Sequence, residues 1–283
     1  MSIELPPGTA APRDDRNPSA NGRQLLILLG LFVGTIIFVV WLAGFLVSSL
    51  ITLIPPGVEQ QLGAVIVPIY EQQAQPSDVQ TTLNDMLDRL EEHLPEDHQE
   101  REYQVLYIPD PTVNAIAIPG DRVIIYEGLL AEMESENELM MVLGHELGHF
   151  LNRDHLRGLG RQVAVRLALA SIFGDAGSLG SLASSGVIAL TNSEFSKGQE
   201  RQADEVGLTL LNQTYGHAAG ATDFFARMSE QRGSELDFLA THPTSKSRVE
   251  RIEKLIRQRD YTVGERSPLP DALRAIAPAS QES

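Results

Sequence analysis

His145 and His149 stand four residues apart in "VLGHELGHFLNRDH" (Val142–His155), with Glu146 beside the first. On a helix, positions i and i+4 share a face, so both imidazoles can reach one point. Neutral imidazole is a good zinc ligand, and Glu146 projects close enough to act on a metal-bound water. Zinc lowers the pKa of such a water to about 7, as peptide-bond hydrolysis near neutral pH requires. Gly144, Leu147, Gly148 and Phe150 are uncharged. That suits a helix packed in a core better than a polar helix matching the pattern by accident. His155 lies ten positions past His145. On an ideal helix that is about 15 Å along the axis, too far for the same ion, so His155 reads as structural.

Catalytic zinc usually takes three protein ligands and keeps one position open. "QERQADEVG" (Gln199–Gly207) offers the third. Glu200 and Asp204 are again spaced i, i+4, with small Ala203 between them to let two helices approach. Glu200 could ligate zinc, and Asp204 could accept the free ring N–H of a ligand histidine, fixing its tautomer. Alone, the segment reads more simply as a solvated acidic face with pairs such as Glu200–Arg201. Beside a histidine motif that still lacks a ligand, the ligand reading is preferred.

Several elements must position these groups. Ser135 and Glu138 form a capping box that starts the helix carrying the motif. An earlier helix starts at Ser77, with Val79, Leu83, Met86, Leu87, Leu90 and Leu94 on one stripe. Between them lie three β-like runs, Tyr103–Ile108, Asn114–Ile118 and Arg122–Tyr126, with Pro119–Asp121 as the turn between the last two. Ser196–Leu211, Ala221–Gln231 and Ser247–Gln258 read as further helices. Val163–Leu190 reads as two short helices around a flexible Gly/Ser-rich loop, with re-entrant membrane contact as a minority option. Its Gly177–Gly186 centre is a weaker candidate for gating the cleft.

From Leu25 to Ile54 no residue is charged, and Pro55-Pro56 ends the run. About 20 apolar residues cross a bilayer, so this segment is long enough to span with room for tilt and too long for a cleaved signal core. Arg13, Arg16 and Arg23 precede it, whereas the first cation after it is Arg89. The positive-inside rule puts the N-terminus in the cytoplasm and the rest outside. The compact single-span design suggests a bacterial inner membrane, with the domain on its outer, periplasmic face. "GLFVG" (Gly30–Gly34) fits a small-residue packing motif but does not set an oligomeric state.

The chain has no cysteine, which excludes disulfides, cysteine-ligated zinc and thiol catalysis. A net charge of -16 argues against nucleic acid as a partner. The resulting layout is a disordered tail (1–24), a transmembrane helix (25–54), a juxtamembrane linker (55–75) with a helical turn or two, a catalytic domain (76–260) and a disordered C-terminal tail (261–283). The expected fold is α+β and mainly helical, with a small antiparallel sheet.

"HELGH", "ERQAD" and "THPTSKSR", in that order, resemble the HtpX-like and CAAX prenyl protease family, family forty-eight of the metallopeptidases. "NAIAIPGDRVIIYEGLL" (Asn114–Leu130) is similar to that family's strand segment. The resemblance covers Val79 to Leu255. It implies a gluzincin-like fold, one Zn2+ per chain and endopeptidase activity on membrane-proximal or misfolded polypeptides. It implies His145, His149 and Glu200 as ligands, Glu146 as general base, and Asp204 behind a ligand histidine. His242 would face the substrate oxyanion, or simply cap the helix after it. Asn114, Ala115 and Ile116 would form the edge that receives an extended peptide, through strand addition. Arg248 would be structural or organise the site. Ile116 stands where the family often has Phe, and Asp121 where a second Gly is common. The single span departs from multi-span members and argues against prenyl-protein processing, and no tetratricopeptide repeat follows the domain. A non-proteolytic, zinc-stabilised membrane adaptor or holdase is the competing class.

Overall fold

A computed structural model describes residues 21–173, 195–230, 238, 241–242 and 246–276. The chain divides into two units, Met1–Leu42 and Ala43–Ser283. Helix α1 (Gly22–Leu50) begins in the first and ends in the second. Its start is fixed by reciprocal bonds, Asn21 N to Gln24 Oε1 and Gln24 N to Asn21 Oδ1. Gly22–Val47 has a mean hydropathy of 2.9, long and apolar enough to cross a membrane. Its large side chains, Leu26 and Trp41 among them, are exposed. In water such a surface would be a liability; it supports anchoring in a membrane. A 3-10 turn (Ile51–Leu53) follows.

The segment after Pro55 is not a spacer with a turn or two. It forms α2 (Pro56–Glu71), four turns long, with Pro56 at its first position, where the missing N–H costs nothing. Ile66, Val67 and Tyr70 are buried on one face of the sheet. Gly63 is required there, because a Cβ on it would lie 2.4 Å from the Gly120 Cα.

Helices α3 (Asp78–Glu91) and α4 (Glu96–Gln99) precede strands β1 (Gln104–Ile108), β2 (Ala115–Ile118) and β3 (Arg122–Tyr126). The Ser77 hydroxyl accepts from Gln80 N, as the capping pattern predicts. The sheet is mixed, not antiparallel, with order β1-β3-β2. β2 and β3 form the expected hairpin, but β1 runs parallel to β3, with Val105 opposite Val123. The segment between β1 and β2, with Pro109 and Pro111, carries the chain past the position that β3 then fills. Burial alternates with period two. Val105, Tyr107, Ala115, Ala117, Val123 and Ile125 face the helical core, while Leu106, Ile108, Ile116, Ile118 and Ile124 face α2.

Then come α5 (Glu127–Ala131), α6 (Glu136–Leu151), α7 (Asp154–Phe173), α8 (Lys197–Tyr215), α9 (Asp223–Glu230), α10 (Lys246–Gln258) and α11 (Asp271–Arg274). Helix α7 holds the first part of the expected Val163–Leu190 pair; the Gly177–Gly186 loop lies outside the described residues. Part of the expected C-terminal tail packs on the domain. Leu269 and Leu273 are buried in the core, and Ser267 exchanges hydrogen bonds with Glu136 N (3.0 Å) and Asn137 Oδ1 (2.6 Å).

Glu91, at the end of α3, has a buried Oε1 without a hydrogen-bond partner among the described residues. Burial, with Asp88 and Asp121 nearby, pushes its carboxyl up to about 7. A raised folded pKa favours folding below the unfolded value of about 4.3, and that contribution is lost as pH rises towards 7. Glu91→Gln should therefore raise Tm at pH 8 and leave it nearly unchanged at pH 4. Thermal unfolding at the two pH values checks this; an equal shift at both would contradict it.

Candidate metal centre

Helix α6 carries the histidine motif. The Ser135 side chain accepts from Glu138 N at its start, and residues Asn137 to Phe150 are all buried. Helix α8 crosses it closely, capped by the Ser196–Gln199 box. The approach depends on residues with little or no side chain. A Cβ on Gly148 would sit 2.7 Å from the Ala203 Cα, and one on Gly207 2.9 Å from the His145 N. Ala203 was legible as a packing residue; Gly144, Gly148 and Gly207 complete the seam.

At this crossing His145 Nε2 and His149 Nε2 lie 3.1 Å apart. Glu200 on α8 brings Oε1 to 3.5 Å from His149 Nε2 and Oε2 to 3.7 Å from His145 Nε2. His242 Nδ1 lies 3.1 Å from both His145 Nε2 and Glu200 Oε1. One ligand atom from each of these four buried residues falls within 4.8 Å of the others. His242 thus belongs to the donor cluster itself, while its Nε2 lies 3.6 Å from Glu146 Oε1.

Carboxylates hold the far ring nitrogens. His145 Nδ1 meets Asp204 Oδ1 at 3.0 Å, the contact expected of Asp204. His149 Nδ1 meets Asp154 Oδ2 at 3.0 Å, and Gln199 Nε2 donates to Asp154 Oδ1 at 2.7 Å. Sequence reasoning missed Asp154. Arg248 Nε bonds both Asp204 oxygens at 3.1 Å, its Nη1 lies 2.8 Å from Glu200 Oε2, and its plane covers Phe225. Arg251 adds a second ion pair to Asp204. Phe195 stacks on His149, with ring centroids 3.9 Å apart.

The electrostatics follow from burial against partners. Burial depresses His145 against the pull of Glu200, with Arg248 adding to the depression. Burial opposes charge on His149 as well, but the hydrogen bonds to Asp154 and Glu200 outweigh it and push it up to about 9. Burial also disfavours ionised Glu200, yet His242 and His145 hold it well below the usual carboxylate range. Asp204 is likewise held down, by Arg248 and His145 against burial.

Glu146 is fully buried, and neither carboxylate oxygen accepts a hydrogen bond among the described residues. A buried carboxylate without a hydrogen bond is costly. Next to converging imidazole nitrogens and an ionised carboxylate, the donor set fits a divalent metal ion.

The expected peptide edge is also nearby. Asn114 is buried, its Oδ1 accepts from Ala115 N (2.9 Å) and Thr241 Oγ1 (3.3 Å), and Phe238 N donates to Val113 O (2.9 Å). Ala115 faces the metal helix, whereas Ile116 packs towards α2.

The model of peptidase family M48 matches residues 73–256. The chain belongs to that family. Among M48-like relatives, it is 33% identical over 158 residues to the mitochondrial metalloendopeptidase OMA1 of Schizosaccharomyces pombe, covering 54% of this chain and 46% of that protein. It is 35% identical over 158 residues to the metalloprotease LoiP of Escherichia coli, covering 53% and 60%. It is 28% identical over 155 residues to the beta-barrel assembly-enhancing protease of Yersinia pestis, covering 48% and 31%. The chain spans about half the length of the curated relatives it matches. These M48 names agree with a metal centre and not with an adaptor lacking activity.

Proposed function

We propose that the protein is a membrane-anchored zinc endopeptidase. The observation that carries this reading is the convergence of the His145, His149 and Glu200 ligand atoms beside Glu146, whose carboxylate accepts no hydrogen bond among the described residues. Two imidazoles and a carboxylate are a donor set that suits zinc, one ion per chain. Bound zinc supplies Lewis acidity, polarising the scissile carbonyl and acidifying the attacking water.

The chain's own residues supply the rest. Glu146 takes the proton of that water and returns it to the leaving amine. Asp204 and Asp154 hold the ligand imidazoles in the tautomer that presents Nε2. His242, beside Glu146, is assigned to the developing oxyanion charge. Asn114, Ala115 and Ile116 are assigned to the edge along which an extended polypeptide aligns.

Substrates of this class are membrane-proximal or misfolded polypeptides, which offer extended backbone without a fixed sequence. The test is metal removal from the full chain in detergent, with an unfolded polypeptide as substrate. Chelation should stop cleavage and added zinc should restore it; cleavage that persists through chelation would contradict the reading.

The arginines before the span support an N-terminus in the cytoplasm and a peptidase domain on the outer face of a bacterial inner membrane. Alkaline phosphatase fused at the C-terminus should be active. An inactive fusion, with a cytoplasmic reporter active instead, would reverse the orientation.

A further inference from the structure

Glu59 is fully buried on α2, nine residues beyond the end of the anchor helix at Leu50. Its carboxylate accepts from Arg101 Nη2 (2.7 Å), Arg153 Nη2 (3.0 Å) and His155 Nε2 (2.8 Å). Burial alone would raise its pKa, but His155 and Arg101 outweigh burial and hold it at about 2, so it is ionised. Two of the three donors flank Asp154, the residue that holds His149.

Arg153 sits at the corner between α6 and α7, and Asp154 and His155 open α7. Arg153 is left-handed, with φ 55, a conformation disfavoured for a residue with a side chain. Its guanidinium also donates to Ile51 O (3.1 Å) and Ile54 O (2.7 Å), the carbonyls that follow the anchor helix. Seven residues beyond Arg153, Gly160 has no room for a side chain, because a Cβ would lie 2.7 Å from Val47 Cγ1. Arg153 and His155 thus turn to the juxtamembrane segment, and Asp154 between them turns to the metal centre.

We infer that Glu59 is a positioning residue for the metal centre. Through Arg153 and His155 it fixes the corner that aims Asp154 at His149. The exit of the membrane anchor is then part of the catalytic machinery and not a tether. This rests on the zinc-site reading above.

Zinc affinity of the full chain in detergent, measured by competition with a chelating dye, tests it, together with the visible spectrum after cobalt substitution. Partners behind a metal ligand are worth about 10–100-fold in affinity. Glu59→Gln should therefore weaken zinc by about 10-fold and change the cobalt spectrum, and Glu59→Asp should restore part of both. Asp154→Asn should weaken zinc comparably or more. Because both act through one contact, the double variant should be no worse than Asp154→Asn alone. Should Glu59→Gln not fold, Arg153→Lys, which keeps the charge but not the fork, carries the same test. A folded variant with wild-type affinity and spectrum, altered only in Tm, would overturn the inference. Wild type that binds no zinc would instead overturn the reading of the site, and wild type that binds zinc without cleaving peptide would overturn only the protease reading.

Discussion

Glu200→Ala should lose more than about 100-fold in zinc affinity and, with it, peptide cleavage. Groups one step behind a ligand are worth about 10–100-fold, so a ligand itself is worth more. Glu200 is the only carboxylate in the four-donor cluster, held ionised by the surrounding histidines. The variant should remain folded. Arg248, which loses an ion pair to Glu200 at 2.8 Å, keeps its paired contacts to Asp204 at 3.1 Å. Glu200→Gln, which preserves volume, separates ligation from packing. Metal content after dialysis checks the prediction; full zinc occupancy in a folded Glu200→Ala protein would show that His242 or another group completes the site.

Glu146→Gln has the other large effect, for a different reason. Glu146 is close to the donor cluster but is not one of its members, so its loss should spare the metal. Glutamine keeps the shape of the side chain but cannot accept a proton from water. General acid–base groups contribute about 10²–10⁴-fold, so cleavage should fall by roughly 10³-fold. Removing the charge also relieves a buried carboxylate with no hydrogen-bond partner among the described residues, so stability should hold or rise.

The site was legible where its geometry is local. Helical spacing alone places His145 with His149 and Glu200 with Asp204, and the capping box at Ser135 sets where the first of those helices begins. The pairing of the two helices was signalled by Ala203 and sharpened by the glycines opposite it. Asp154 was hidden because on a continuous helix it lies five positions from His149, about 140° round the axis. The left-handed Arg153 breaks the helix and swings it back, and no local pattern announces that break. Strand runs were readable, but alternation carries no information about order, so the parallel β1–β3 pair was not. Glu59 reads in sequence as one charge in a glutamine-rich stretch; only burial against Arg101, Arg153 and His155 gives it a role.

Metal content and peptide cleavage, measured on one preparation of Glu146→Gln beside wild type, reach the central claim most directly. The expected result is about one zinc per chain in both, with cleavage by the variant reduced roughly 10³-fold. Cleavage at the wild-type rate by a zinc-loaded Glu146→Gln protein would contradict it.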